Sequence, residues 1–223
     1  MILALDIETM ADAARVANLP PPEAPGRLVD PAKIKAAVEA AKSKQLAQAG
    51  LSPITGRVVC VGMVYDVGDA RNLSCVLPEA TDANESKLLQ FVFDAISNPE
   101  TRLVTFNGTH FDLPFIYRRA MMLGISPKHF GAPPLTTWTK RYGNDRHIDM
   151  MTVWAGSDRV ADFDNLDDVA MALLGETRAP EEYEKFPELM ATQEGRDHIA
   201  AACLHHAELT YRIFERAQGC LFA

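Results

Sequence analysis

A chain of 223 residues, 48% hydrophobic and 23% charged, is long enough to bury a core without disulfide or metal staples and reads as one globular domain spanning 1–223. Its formal net charge of −8 sets it apart from proteins that coat duplex nucleic acid, which are usually basic. No apolar run approaches the ~18 residues of a membrane span, no basic leader precedes Ile2–Asp6, and Cys60, Cys75, Cys203 and Cys220 form no Cys-x-x-Cys pair, so the expectation is a cytoplasmic protein with no membrane partner and no cysteine zinc site.

Residues 2–6 are apolar and strand-like, and 2–8 are expected to form a central strand. Residues 10–29 are rich in Ala and Pro and read as a loop. Asp30-Pro31 then starts a helix, with Asp as N-cap and Pro at the first helical position. Ile34, Val38 and Ala41 recur at helical spacing, and Gly50 closes the helix near residue 49. Loop and helix together form an insertion at about 10–50. Lys33, Lys35, Lys42 and Lys44 decorate it, as a solvated face or as a flap over a substrate.

Arg57 to Tyr65 is β-rich, and Asn72 to Leu77 can pair with it across Asp66–Asp69. Glu85 to Ile96 is helical by the spacing of Leu88, Leu89, Val92 and Ile96. A short buried strand at 103–106 precedes a helix at 114–123, whose start is set by Pro114. Ile148 lies in a short strand. Asn165 caps a helix that ends at Gly175, and 198–216 is a long C-terminal helix. The region 176–196 is polar and Pro-containing and is left unassigned. Leading strands followed by α/β alternation predict an α/β fold with one mixed central sheet flanked by helices.

Asp6 and Glu8 are two apart on a strand and point to the same face. Adjacent carboxylates repel unless a cation lies between them. On these residues alone, a metal-holding pair and a solvated strand end are equally good readings. The segment Asn107-Gly108-Thr109-His110-Phe111-Asp112 joins a buried strand to a helix. A lone Asp there is more simply a helix cap, Asn107-Gly108 a common turn, and His110 a surface histidine. Local positive charge stands at Arg118-Arg119, Lys140-Arg141 and Arg146.

Taken together, Asp6-Ile7-Glu8-Thr9 resembles the first motif of the DEDD superfamily of 3′–5′ exonucleases, and Asn107-x-x-x-Phe111-Asp112 its second. Asp112-Leu113-Pro114-Phe115, Ile148-Asp149-Met150 and Asn165–Ala170 are similar to the proofreading exonuclease domain of family-B DNA polymerases, here in stand-alone form. The resemblance implies a ribonuclease H-like fold and a phosphodiester hydrolase acting on single-stranded DNA 3′ ends in replication or repair, with a replication polymerase as a possible partner. It implies two divalent ions, Mg²⁺ or Mn²⁺, about 4 Å apart. Asp6 would bridge them, while Glu8 and Asp112 would each hold one. Thr9, Met10, Asn107 and Phe111 would contact the terminal nucleotides, and Asp149 would support the site from behind or be an ordinary structural Asp. RNA 3′-end trimming is a substrate variant of the same reading.

The sequence departs from the resemblance at the third motif, which should bring a fourth Asp on the C-terminal helix with a Tyr four residues before it or a His five before it. Aligning Thr210-Tyr211 with the residues that follow the motif puts His206 at the Asp position, Ala202 at the Tyr position and Ala201 at the His position. Three readings stay open: His206 as a catalytic metal ligand through neutral imidazole, favouring Mn²⁺, Zn²⁺ or a similar ion over Mg²⁺; Glu208 as the ligand if the helix is shifted, since it is rotated about 200° from His206; or a pseudo-exonuclease that binds 3′ ends or a polymerase without cutting.

Overall fold

The computed structural model describes residues 1–223 except 24, 25, 28, 67–70, 141–144, 157–163, 179–182 and 221–223. The hairpin turn expected at Asp66–Asp69 and the basic pair's Arg141 fall on or run into residues outside that set.

The sheet is built around β1 (Ile2–Ala11), which lies antiparallel to β2 (Gly56–Tyr65). Further strands are β3 (Arg71–Val76), antiparallel to β2; β4 (Arg102–Thr105), parallel to β1; and β5 (His147–Asp149), parallel to β4. The order is β3-β2-β1-β4-β5, so residues 2–8 are central. This is the mixed sheet of a ribonuclease H-like α/β fold.

The helices are α1 (Ala13–Ala17), α2 (Pro31–Gln48), α3 (Asp82–Ser97), α4 (Asp112–Met122), α5 (Leu135–Trp138), α6 (Met150–Ala155), α7 (Leu166–Leu174), α8 (Phe186–Leu189) and α9 (Gln193–Ala217). Strand alternation divides β1 between two layers. Leu3, Leu5 and Ile7 pack with Leu89, Val92, Phe93 and Ile96 of α3 and Leu113 and Ile116 of α4. Ala4 packs with Val169 and Ala170 of α7 and Leu209, Ile213 and Phe214 of α9. Each such fully buried side chain stabilises the fold by about 1.5–3 kcal/mol. Asp6 and Glu8, two and four residues beyond Ala4, therefore face α9.

Local signals set several helix ends. Thr81 caps α3 by accepting from the Asn84 N–H, Asn165 caps α7 by accepting from the Asp168 N–H, and Gly175 ends α7 with φ 72°. Two expectations are corrected. Residues 10–29 are not all loop: beyond a bulge between Glu8 and Thr9, Met10 and Ala11 still pair with Arg57 and Gly56, and Asp12 then caps α1 through the Ala14 and Arg15 amides. The fourth helix begins at Asp112 rather than Pro114, with Phe111 at the cap position and no side-chain cap. The Asp112 carboxylate is thus not a helix cap.

Charge is also buried on the α3–α4 side. Glu85 and Arg119 are both fully buried and paired: Arg119 Nε lies 2.8 Å from Glu85 Oε1, which also accepts the Val58 N–H at 2.9 Å. Asp12 is bonded to Arg57 and Arg15, and Asp82 joins both arginines. One of the basic residues singled out in the sequence, Arg119, is therefore internal. Arg146 stacks on Trp138, 5.1 Å from the ring centroid, and donates to Asn98 O.

Candidate active site

Asp6, Glu8, Thr9, Met10, Asn107, Phe111, Asp112 and His206 all line one cleft of about 710 Å³. β1 supplies the first four, the β4–α4 junction the next three, and α9 the last. His206 Nδ1 lies 3.2 Å from Glu8 Oε1 and 3.5 Å from Asp6 Oδ2. Glu208 points elsewhere: it bonds Asn72 and lines a separate pocket with Asp66, Tyr211 and Glu215. The helical geometry of α9 therefore turns His206, not Glu208, toward the carboxylates.

Burial pushes the Asp112 carboxyl well above the usual carboxylate range, and the neighbouring charges of Asp6 and Asp149 add to that; backbone amides, including that of Ile7, pull the other way. Among the described residues, no Lys or Arg forms an ion pair with Asp6 or Asp112. Cys203 joins the group: ligand atoms of Asp6, Glu8 and Cys203 lie within 4.8 Å of one another. The absence of a Cys-x-x-Cys pair gave no hint of this, because Cys203 reaches the strand only through the docking of α9. Its thiol sits 3.6 Å from the Asp6 carbonyl oxygen, and burial, with Cys60, Asp6 and Glu8 nearby, holds it well above its ordinary pKa. Such close docking needs Gly62, directly opposite Asp6 in the β1–β2 register, where a Cβ would stand 2.5 Å from Cys203 O.

The Asn107 segment is held by two anchors. Asp149 accepts the N–H groups of Asn107 and Thr109, both at 2.8 Å. The Gly108 N–H donates to Thr105 Oγ1 at 3.2 Å. His147 Nδ1 lies 2.6 Å from the Trp138 carbonyl, so it donates there, and Nε2 accepts from the Thr105 hydroxyl at 2.8 Å. Burial lowers the His147 pKa, in keeping with this neutral tautomer. Asn107 takes φ 70°, a left-handed conformation that Asn tolerates better than most residues, and its side chain is turned into the cleft. A Cβ at Gly108 would meet Thr105 Oγ1 at 2.2 Å.

The remaining walls come from the inserted helix, expected as a solvated face or a substrate flap, and from the 176–196 region, to which the sequence assigned no role. Ser43, Leu46 and Ala47 of α2, with Gly50 and Leu51, line the cleft, as do Arg178, Tyr183, Glu184 and Pro187. Arg178 is the one Lys or Arg among the described cleft-lining residues. Asp167 grips its guanidinium, Nη2 at 2.9 Å from Oδ2 and Nε at 3.0 Å from Oδ1, and these hydrogen bonds lower the Asp167 pKa. His110 is exposed and does not line the cleft.

Residues 51–216 match a family described as "Predicted 3'-5' exonuclease related to the exonuclease domain of PolB". The chain belongs to this family. The match begins after β1 and α2, so Asp6 and Glu8 of this exonuclease-family member lie outside the matched residues. The chain is also similar to DNA polymerase 1 of Sulfolobus acidocaldarius, 33% identical over 100 residues that make up 41% of the chain and 11% of that polymerase. The family B DNA polymerase of the hyperthermophilic archaeon Pyrobaculum calidifontis shares the fold, with a TM-score of 0.61 at 16% identity over 97% of the chain and 24% of the polymerase. The chain thus spans a small part of each polymerase it resembles. Among the described residues, no helix is long and apolar enough to cross a membrane.

Proposed function

We propose that this chain removes nucleotides from single-stranded DNA 3′ ends by metal-dependent phosphodiester hydrolysis, with Asp6, Glu8, Asp112 and His206 as its catalytic, metal-holding residues. The observation that carries this reading is their convergence in one cleft of a PolB-related exonuclease-family chain. The donor set fits divalent cations: carboxylate oxygens suit Mg²⁺ or Mn²⁺, and the buried Asp112 carboxyl beside Asp6 is eased by a cation between them. When bound, two such ions activate a water and stabilise the departing 3′ oxygen.

The chain's own groups account for the rest. Asn107, fixed by Asp149, presents an amide to the terminal nucleotide. Phe111 and Met10 offer apolar surface against its base, as stacking does in single-strand sites, and Thr9 lies beside them. Arg178 lines the same cleft, with its guanidinium held by Asp167. Nothing in this arrangement selects against a 2′-hydroxyl, so matched DNA and RNA oligonucleotides belong in the same assay.

His206 sets the metal preference. It brings no negative charge where the resembled motif has Asp, so Mn²⁺, which accepts imidazole more readily, is expected to support cleavage better than Mg²⁺. The test is digestion of 5′-labelled single-stranded DNA in each metal. Asp6→Ala is expected to abolish cleavage, and His206→Asp to raise the Mg²⁺-dependent rate. A parent that binds 3′ ends but cuts in neither metal would instead support the pseudo-exonuclease reading, which Ala202 and His206 at the third motif favour.

A further inference from the structure

α2 lacks the usual reason for a helix to exist in a folded protein. Its 18 residues bury no side chain, so it gains little from the packing that stabilises most short helices. It carries Lys33, Lys35, Lys42 and Lys44 against Glu39 alone, in a chain of net charge −8. All four lysines are exposed.

Their spacing is ordered with respect to the cleft. At 3.6 residues per turn, Lys35 and Lys42 fall within about 20° of each other, and Lys33 and Lys44 form a second row on roughly the opposite side of the axis. Of the α2 residues that line the cleft, Ser43 and Ala47 lie between the two rows, and Leu46 continues the Lys35 and Lys42 row. Lys42 and Lys44 thus flank the cleft mouth, and Lys33 and Lys35 stand roughly 13 Å farther out at 1.5 Å per residue. The cleft holds Asp6, Glu8 and Asp112, and α2, the most basic of the described helices, leads away from it.

We propose that α2 is a rail for the phosphodiester backbone of the strand whose 3′ end enters the cleft. This inference rests on the exonuclease reading. The nucleotides upstream of the end would leave past Lys42 and Lys44 and run toward Lys33 and Lys35. Ammonium groups on flexible stems are suited to contacts that position a backbone without reading its sequence. The apolar side chain of Leu46, half exposed beside Lys42, gives an unpaired base a surface to rest on.

The test compares the parent with the variant K33A/K35A/K42A/K44A, whose exposed substitutions leave the fold intact by circular dichroism. Fluorescence anisotropy with 5′-labelled oligodeoxynucleotides of graded length, in Ca²⁺ at several salt concentrations, reads both affinity and its salt dependence. On a single strand each phosphate contact contributes about 0.7 to the slope of log K against log salt. With two or more lysines engaged, the variant's slope should be shallower by about 1.4 or more, and the parent-to-variant affinity ratio should widen with length. An equal slope, or a ratio that does not change with length, overturns the proposal and leaves the α2 charge to an acidic protein partner. A parent that binds no single strand of any length overturns the exonuclease reading along with it.

Discussion

Glu85 and Asp112 are both acidic residues in the first turn of a helix and both are sealed from solvent, at 0% and 3% exposure, yet their surroundings are opposite in kind. Glu85 receives the guanidinium of Arg119 and the Val58 amide, so the chain itself cancels its charge. Asp112 receives Asp6 and Asp149, which raise its cost of ionisation. A buried carboxylate with an internal cation is part of the scaffold. One that faces other carboxylates is stable in ionised form only if a cation comes from outside.

That contrast can be broken by substitution. Glu85→Ala leaves Arg119 buried without its partner and should destabilise the protein by about 3–5 kcal/mol in urea unfolding. Asp112→Asn removes one of several repelling carboxylates and should leave stability in chelator unchanged or raised, while abolishing cleavage. Equal destabilisation by the two variants would mean that Asp112 is scaffold as well.

Divalent ions sharpen the same difference. An ion that binds only the folded chain stabilises it by about 2.7 kcal/mol at a hundred times its dissociation constant. Mn²⁺ should therefore raise the melting temperature of the parent and of an Arg15→Ala variant, but not that of Asp6→Asn. A Mn²⁺-dependent rise retained in Asp6→Asn would place the ion elsewhere.

The smallest effect concerns pH. Burial acts to raise the Asp12 carboxyl, but hydrogen bonds from Arg57 and Arg15 outweigh it and hold the pKa below the ordinary value. A carboxylate depressed on folding stabilises the protein above its unfolded pKa of about 3.9, and that stability is lost as pH falls through the lower folded value. Asp12→Asn should flatten the acid limb of the stability profile below about pH 4 and leave the slope near neutrality unaltered.

How far the sequence foretold these features depended on how local their causes are. The alternation of Leu3, Leu5 and Ile7 with Asp6 and Glu8, the Asp30-Pro31 start and the Asn165 cap act within a few residues, and each is legible. The end of β1 is not, because Met10 and Ala11 remain in the strand through pairing with Arg57 and Gly56 beyond a bulge. Asp112 obeys a local capping rule on paper, but the helix starts one residue sooner than that rule requires. Arg119 looks like surface charge until Glu85 is placed beside it. Arg178 and Tyr183 come from a polar, Pro-containing stretch that the sequence leaves unassigned, and only the tertiary fold brings them to the cleft. His206 and Glu208 differ by two positions, and rotation around α9 separates them.

Gly62 gives the cleft a mechanical property. It is the point where strand and helix touch backbone to backbone, opposite Asp6 on one side and against Cys203, one helical turn before His206, on the other. The clearance there is smaller than a methyl group. Even Gly62→Ala would act as a shim, forcing α9 off the sheet and opening the gap between the imidazole and both carboxylates without altering any of them. A position with no side chain thereby sets the working tolerance of the cleft, and the residue that most closely governs its dimensions is one that does not line it.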